Sequence, residues 1–221
     1  MPDSDLLCSL GKLTRGLSAL FWGLPAALII CAETARISLI QPFEIVPALA
    51  VNALLLYGLW QMTGFQKQER PWRFALDRAK LLGLVNIGLC PFLFWFNRMP
   101  AQDYFRDAVG VLVISAMLFL FNLNIVLKQL GAMLPDETLR HDINLFTALN
   151  RWMLASWLLL LFASAVLPGF LADAPDFDIQ RWLGRVELAV LLFLGLAPLS
   201  ITMALIWKTK EVIFDSVFGA K

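Results

Sequence analysis

Six stretches of this chain run for 17 to 22 residues without a single charged side chain. A helix needs about 20 apolar residues to cross the roughly 30 Å hydrocarbon core of a bilayer, so each stretch can span a membrane with help from its flanks. The stretches are residues 16–32, 45–66, 81–97, 108–127, 152–172 and 188–207. This pattern predicts an all-α polytopic membrane protein with six transmembrane helices.

With helical flanks included, the predicted spans are residues 16–40, 44–64, 80–97, 108–128, 150–170 and 186–207. Short loops and two tails make up the rest of the 221 residues, which leaves no room for a separate soluble domain. The composition agrees, because only 16% of the residues are charged, against about 25% in soluble domains. We therefore treat residues 1–221 as a single integral membrane domain.

Basic residues are distributed unequally between the two sides of the predicted bundle. With the N-terminus placed inside, 13 of the 18 Lys and Arg residues fall on the inner side and 5 on the outer side. Short loops rich in Lys and Arg remain in the cytoplasm, so both chain ends are predicted to be cytoplasmic. We expect a multi-pass protein of the bacterial cytoplasmic (inner) membrane.

The inner loop after span two alternates basic and aromatic residues and includes Arg70 and Arg73. Such residues fix topology and contact anionic lipid headgroups, and a specific lipid or partner site is the alternative. The loop leads into span three through a short interfacial helix, in which apolar residues are predicted to face the bilayer, namely Phe74, Leu76, Ala79, Leu81 and Leu82. Arg73, Asp77 and Lys80 are predicted to face water.

The inner loop after span four is predicted to form a helical elbow, residues 130–150. Span four keeps its helical spacing as far as Pro135, and a new helix over residues 137–150 runs directly into span five. The apolar face of this helix is Leu139, Ile143, Phe146 and Leu149. Together with the basic residues Arg140 and Arg151, this face is a candidate docking surface. The alternative is that the apolar residues lie on the bilayer or pack on the protein itself.

Polar residues near the centre of the predicted spans are uncharged. Membrane proteins that couple transport to ions usually place ionisable residues inside their spans, and this chain has none at the bilayer centre. The deepest ionisable residues, Glu33 and Arg36, are three positions apart and are predicted to form an ion pair at the outer end of span one. Four asparagines are predicted to hydrogen-bond between helices, with a polar substrate cavity as the alternative. They are Asn52, Asn86, Asn122 and Asn124.

Several chemistries lack the residues that they need. The chain has one histidine, His141, and it lies in an inner loop, so a haem with histidine ligands inside the spans and a histidine-based intramembrane protease are both excluded. The three cysteines form no Cys-x-x-Cys motif and no pair close in sequence, which gives no support to quinone-linked disulfide chemistry or to iron–sulfur ligation. We predict no catalytic residue, metal site or cofactor.

These observations favour a non-enzymatic membrane subunit or scaffold that holds a partner protein at the cytoplasmic face. The alternative function is a small transport component for an apolar or neutral solute, since six uncharged spans suit such a cargo. Membrane lipids and a cytoplasmic-face protein are the expected partners, and no nucleic-acid partner is expected.

Overall fold

The computed structural model describes the backbone of residues 2–36, 45–66, 68–99, 101–134, 137–171 and 179–218. It describes the side chains of residues 8–35, 45–66, 68–99, 101–134, 137–138, 140–159 and 195–215. Secondary structure over this backbone is helical throughout. The helices are α1 (Pro2–Arg36), α2 (Val46–Met62), α3 (Arg70–Leu89), α4 (Pro91–Arg98), α5 (Asp103–Met133), α6 (Glu137–Leu171) and α7 (Ile179–Phe218).

These seven helices correspond to the six predicted spans, because α3 and α4 are two parts of one. The interruption falls at Cys90, directly before Pro91, whose ring and missing N–H prevent regular helical bonding. Within the described residues, three segments are long and apolar enough to cross a membrane, namely Cys8–Ala35, Arg70–Arg98 and Asp103–Met133, and Val46–Met62 is a shorter apolar helix. The prediction of an all-α protein with six helices is confirmed.

The first and last helices are longer than the spans predicted for them. α1 begins at Pro2 instead of near residue 16, and α7 ends at Phe218 instead of near residue 207. Leu13 and Ile213, which lie in these extra turns, are buried in the core. The extensions therefore pack against neighbouring helices, and the uncharged stretch marks the part inside the bilayer, not the end of the helix. We call the side with these extensions and the elbow the inner side.

A stripe of buried leucines fixes the packing of α1 on α2. The close contact of the two helices depends on glycine, because a Cβ atom on Gly16 would lie 2.6 Å from the backbone oxygen of Gly58. Small residues allow membrane helices to approach in this way. Trp22 and Ile29, on another face of α1, are exposed to the surroundings of the bundle. The buried stripe consists of Leu13, Leu17, Leu20 and Leu24.

The first turns of α3 differ from the predicted interfacial helix. Leu76 and Ala79 are buried in the bundle, whereas Phe74 and Leu81 are exposed, so the prediction that Leu76 and Ala79 face the bilayer is wrong. Apolar residues lie on both faces of this segment, and the sequence alone does not choose between them. The indole of Trp72 packs edge-on against the ring of Phe65, and this contact turns the Leu76 face inward.

α5 is the helix with the most neighbours along the bundle. It packs against α3, α4, α6 and α7, while α1 packs against α2, α4 and α7. The inner half of α5 is fully buried at Leu123, Leu127 and Leu130. α5 therefore lies between the basic start of α3 and the elbow.

Candidate functional site

The elbow (residues 130–150) is a fixed corner between α5 and α6, as predicted from the sequence. Ile143 of α6 is buried against Gly131 of α5, where an added Cβ atom would lie 2.3 Å from the Ile143 Cδ1 atom. Ile143 is 1% exposed. The predicted alternative of packing on the protein itself therefore applies to this residue. The side chain of Leu139, a predicted member of the apolar face, lies outside the described residues.

Two polar contacts attach the elbow to its neighbours. The Arg140 guanidinium donates hydrogen bonds to the backbone oxygens of Ala132 (3.3 Å) and Leu134 (3.5 Å) at the end of α5. Carbonyl groups at a helix C-terminus lack partners within the helix, so a cation there stabilises the end. Lys208 of α7 forms an ion pair with Asp142. Arg140, a predicted docking residue, therefore holds the corner together.

Beyond Ile143, α6 presents an exposed apolar face. Four apolar side chains recur on one side of the helix, and all are exposed: Leu145 (54%), Phe146 (39%), Leu149 (46%) and Trp152 (69%). We call these four residues the elbow strip. Arg151 is exposed beside the strip.

The two predicted basic surfaces lie on different helices of the inner side. Arg70 and Arg73 are exposed in the first turn of α3. α3 packs on α2 and α5, whereas α6 packs on α5 and α7. Both helices therefore contact α5, and α5 connects the two basic surfaces.

A network of buried hydrogen bonds, the inner polar cluster, joins three helices. The Thr202 hydroxyl oxygen on α7 accepts hydrogen bonds from the amide nitrogens of Asn124 (2.9 Å) and Asn150 (3.1 Å), on α5 and α6. The same hydroxyl donates to the Pro198 carbonyl at 2.7 Å. Asn124, Asn150 and Thr202 are all at most 2% exposed. The interhelical hydrogen bond predicted for Asn124 is therefore present.

A second polar group, the thiol corner, lies in the outer half of the bundle and consists of Cys31, Asn52 and Cys90. The Asn52 amide nitrogen donates to the Ala48 carbonyl at 2.8 Å and lies 3.6 Å from the sulfur of each cysteine. The two sulfurs therefore share the same amide nitrogen as a hydrogen-bond donor. Apolar residues surround the corner. Within the described part of the chain, no three Cys, His, Asp or Glu side chains are grouped closely enough to hold a metal ion.

The remaining candidate residues are not brought together. Asn86 is buried, and its amide oxygen has no hydrogen-bond partner among the described residues. Asn122 donates to Leu118 of its own helix at 2.9 Å. One carboxylate oxygen of Glu33 is buried without such a partner in the described region, and the Arg36 side chain lies outside that region. The Glu33–Arg36 ion pair stays a prediction.

The thiol corner is the feature that sequence reasoning missed, although the sequence carries a signal for it. Cys31, Asn52 and Cys90 each lie about eight residues from the outer end of their predicted spans. A rise of about 1.5 Å per residue therefore puts them at one depth. What spacing cannot supply is the rotation of each helix, which decides whether the three side chains point at one another.

The passes and the buried hydrogen bonds between them define a class of protein, an α-helical integral membrane protein. More particularly, a family model described as "Putative integral membrane protein (DUF2391)" matches residues 12–209, and the chain belongs to this family. No curated protein and no solved structure matches the chain. The family assignment thus agrees with the fold and leaves function to be argued from the residues.

Proposed function

We propose that this protein is a non-enzymatic subunit or scaffold of the bacterial cytoplasmic membrane, which holds a partner protein at its inner face. The elbow strip is the observation that carries this proposal. α6 has 35 residues, which correspond to about 52 Å of helix, whereas the hydrocarbon core is about 30 Å thick. The uncharged part of α6 begins at Trp152, so residues 137–151 form an extension on the inner side. Three of the four strip residues lie in that extension.

The depth of the strip argues against the bilayer surface as its only contact. Leu145 lies seven residues before Trp152, or about 10 Å along the helix axis. The headgroup layer on each side of the core is about 5 to 8 Å thick, and a typical tilt of about 20° shortens the axial distance only slightly. With Trp152 at the interface, Leu145 and Phe146 reach past the headgroups. Apolar side chains there are covered only if a protein covers them.

The elbow is suited to binding because it is already held in place. Ile143 packs on Gly131, Arg140 bonds to the end of α5, and Asp142 pairs with Lys208. A surface that is fixed before binding loses less conformational entropy when a partner arrives. An ordered platform is what a scaffold requires.

The chemistry of the strip specifies the kind of partner. Its side chains are spaced along one side of a helix, and exposed Arg151 lies next to them. The partner that fits is an amphipathic helix with apolar residues on one face and acidic residues at its border. The positive charge on the inner side would attract such a helix and orient it.

Site-specific photo-crosslinking in intact cells tests the proposal. A benzophenone amino acid is placed at Phe146 or, as a matched control, at Phe214 of α7. Phe214 is 45% exposed and lies seven residues beyond Trp207, the last residue of its uncharged stretch. We expect one discrete protein adduct from position 146, lost when Leu149→Asp is added, and no such adduct from position 214.

Adducts to lipid alone at position 146, or the same protein adducts from both positions, would reject the elbow as a docking surface and favour solute transport. Arg140→Glu is unsuitable as a probe, because it removes a contact that holds the corner. Arg151→Glu changes only an exposed charge. It should weaken the adduct without affecting the amount of protein in the membrane.

A further inference from the structure

The thiol corner brings together two cysteines from distant parts of the chain. Both sulfurs lie 3.6 Å from the Asn52 amide nitrogen, and both cysteines pack in the same apolar cluster. Sulfurs that share one amide nitrogen lie no more than about 7 Å apart. Disulfides require the two Cβ atoms to be about 3.5–4.5 Å apart, so a modest movement of the helices brings the thiols to bonding distance. We propose that Cys31 and Cys90 are a redox-active dithiol, which a lipid-soluble quinone oxidises to a disulfide linking α1 to the α3–α4 pass.

The apolar surroundings favour this chemistry over metal binding. Cys90 is 1% exposed and packs with Ala48, Leu93 and Leu112, while Cys31 is half-buried at the edge of the same cluster. A pair of thiolates holding a metal would bury charge in this setting, which is costly unless the charge is compensated. A dithiol and a disulfide are both neutral. Oxidation therefore leaves no charge in the corner.

Asn52 is a positioning residue in this reaction. Its amide nitrogen has two hydrogens, one directed to the Ala48 carbonyl and one available to the sulfurs. Formation of the disulfide passes through a sulfur that carries negative charge, and a hydrogen bond to the charged form favours it. The amide thus holds the thiols together and assists loss of the first proton.

The depth of the corner selects the oxidant. The described helices end five residues after Cys31 and eight after Cys90, and α2 begins six residues before Asn52, so the corner lies about 8–12 Å from the outer ends of these helices. This depth assigns it to the outer part of the hydrocarbon core, where water-soluble oxidants partition poorly. A quinone dissolves in that core. Each S–H bond breaks, one S–S bond forms, and the two electrons and two protons released convert the quinone to its hydroquinone. The corner holds two thiols, so one protein reduces one quinone.

The test uses the full-length protein in lipid nanodiscs with Cys8→Ser, which leaves the two corner thiols as the only cysteines. Under anaerobic conditions a short-chain ubiquinone analogue is added, and hydroquinone is followed by absorbance. We expect one hydroquinone per protein, loss of two hydrogen atoms from the intact mass, and a Cys31–Cys90 disulfide in the peptide map. Further substitution of Cys31→Ala or Cys90→Ala should abolish all three signals.

Asn52→Leu separates positioning from a merely structural role. Oxidation should become several-fold slower while the final yield of disulfide is unchanged. Asn122→Leu, which removes an amide bonded to its own helix, should leave the rate unaltered. Gel filtration before oxidation verifies that every variant is folded.

Three results would overturn the proposal. The first is that both thiols of the folded Cys8→Ser protein remain reduced and the quinone remains oxidised. The second is that a quinone adduct forms in place of a disulfide, and the third is that oxidised glutathione reacts as fast as the quinone, which would show that water reaches the corner. None of these results bears on the elbow strip, so this inference and the scaffold proposal fail or stand separately.

Discussion

Asparagine amides donate the hydrogen bonds in both the inner polar cluster and the thiol corner, but the acceptor atoms differ. In the inner polar cluster, Asn124 and Asn150 share a hydroxyl oxygen at 2.9 and 3.1 Å. In the thiol corner, the corresponding contacts from Asn52 are to sulfur at 3.6 Å. Oxygen is a strong acceptor and sulfur a weak one, so the first group holds helices together far more tightly than the second.

This difference matches the roles proposed for the two halves of the molecule. Asn150 lies on α6 at the end of the elbow, so the inner cluster ties the docking surface to α5 and α7. A scaffold benefits from a surface that does not move. The thiol corner contributes little to holding the helices but carries two groups that can change covalently. Stability and chemistry are therefore located at different depths of the same bundle.

The largest effect is expected from Thr202→Val, which keeps the shape of the side chain and removes its hydroxyl. Two buried amides lose their shared acceptor and keep only the backbone carbonyls of Leu120 and Pro198 as partners, and we expect the free energy of unfolding to fall by about 2–3 kcal/mol. Unfolding of the purified protein in mild detergent measures this loss. The matched control is Thr209→Val, because Thr209 is equally buried and bonds only to Leu205 of its own helix. Equal losses for both variants would show that the inner cluster does not hold the helices.

A smaller loss is expected from Gly16→Ala, where α1 and α2 meet in the inner half. The new methyl group would lie 2.6 Å from the Gly58 carbonyl oxygen and 2.8 Å from Met62. The helices must separate, at a cost of about 1–3 kcal/mol. Gly11→Ala on the same helix meets nothing within 4 Å and should be neutral or slightly stabilising. If Gly16→Ala proved as benign as Gly11→Ala in the same unfolding assay, the close contact would carry no energy.

The smallest effects are expected when an asparagine is replaced by leucine, once in the inner polar cluster and once in the thiol corner. Asn124→Leu removes an interhelical hydrogen bond to oxygen and should cost about 1–2 kcal/mol. Asn52→Leu removes only weak contacts to sulfur and one bond within its own helix. It should cost less than about 0.5 kcal/mol, since such local bonds add little. Parallel unfolding curves give the two values, and a larger loss for Asn52→Leu would reverse the comparison.

The candidate sites could be predicted in part. The sequence locates the elbow because Leu139, Ile143, Phe146 and Leu149 repeat with the period of a helix. It cannot tell that Ile143 turns inward while Phe146 stays exposed, since both belong to the same apolar pattern. Arg140 has the appearance of a free surface charge in sequence, yet its function is set by the carbonyl groups that the end of α5 brings within reach.

The sequence by itself determined the all-helical fold, the number of long helices and the elbow. Hydrocarbon excludes charge and requires every backbone group to bond within its own segment, so the linear distribution of charges is enough to divide the chain into helices. The tertiary structure decided which faces meet. Each residue turns a helix by about 100°, so neighbours in the sequence point in different directions, and lateral packing sets the rotation. That rotation directs Trp72 inward and places the amides of Asn124 and Asn150 within hydrogen-bonding distance of Thr202. It also brings Cys31 and Cys90, from two different helices, to the same side chain of Asn52.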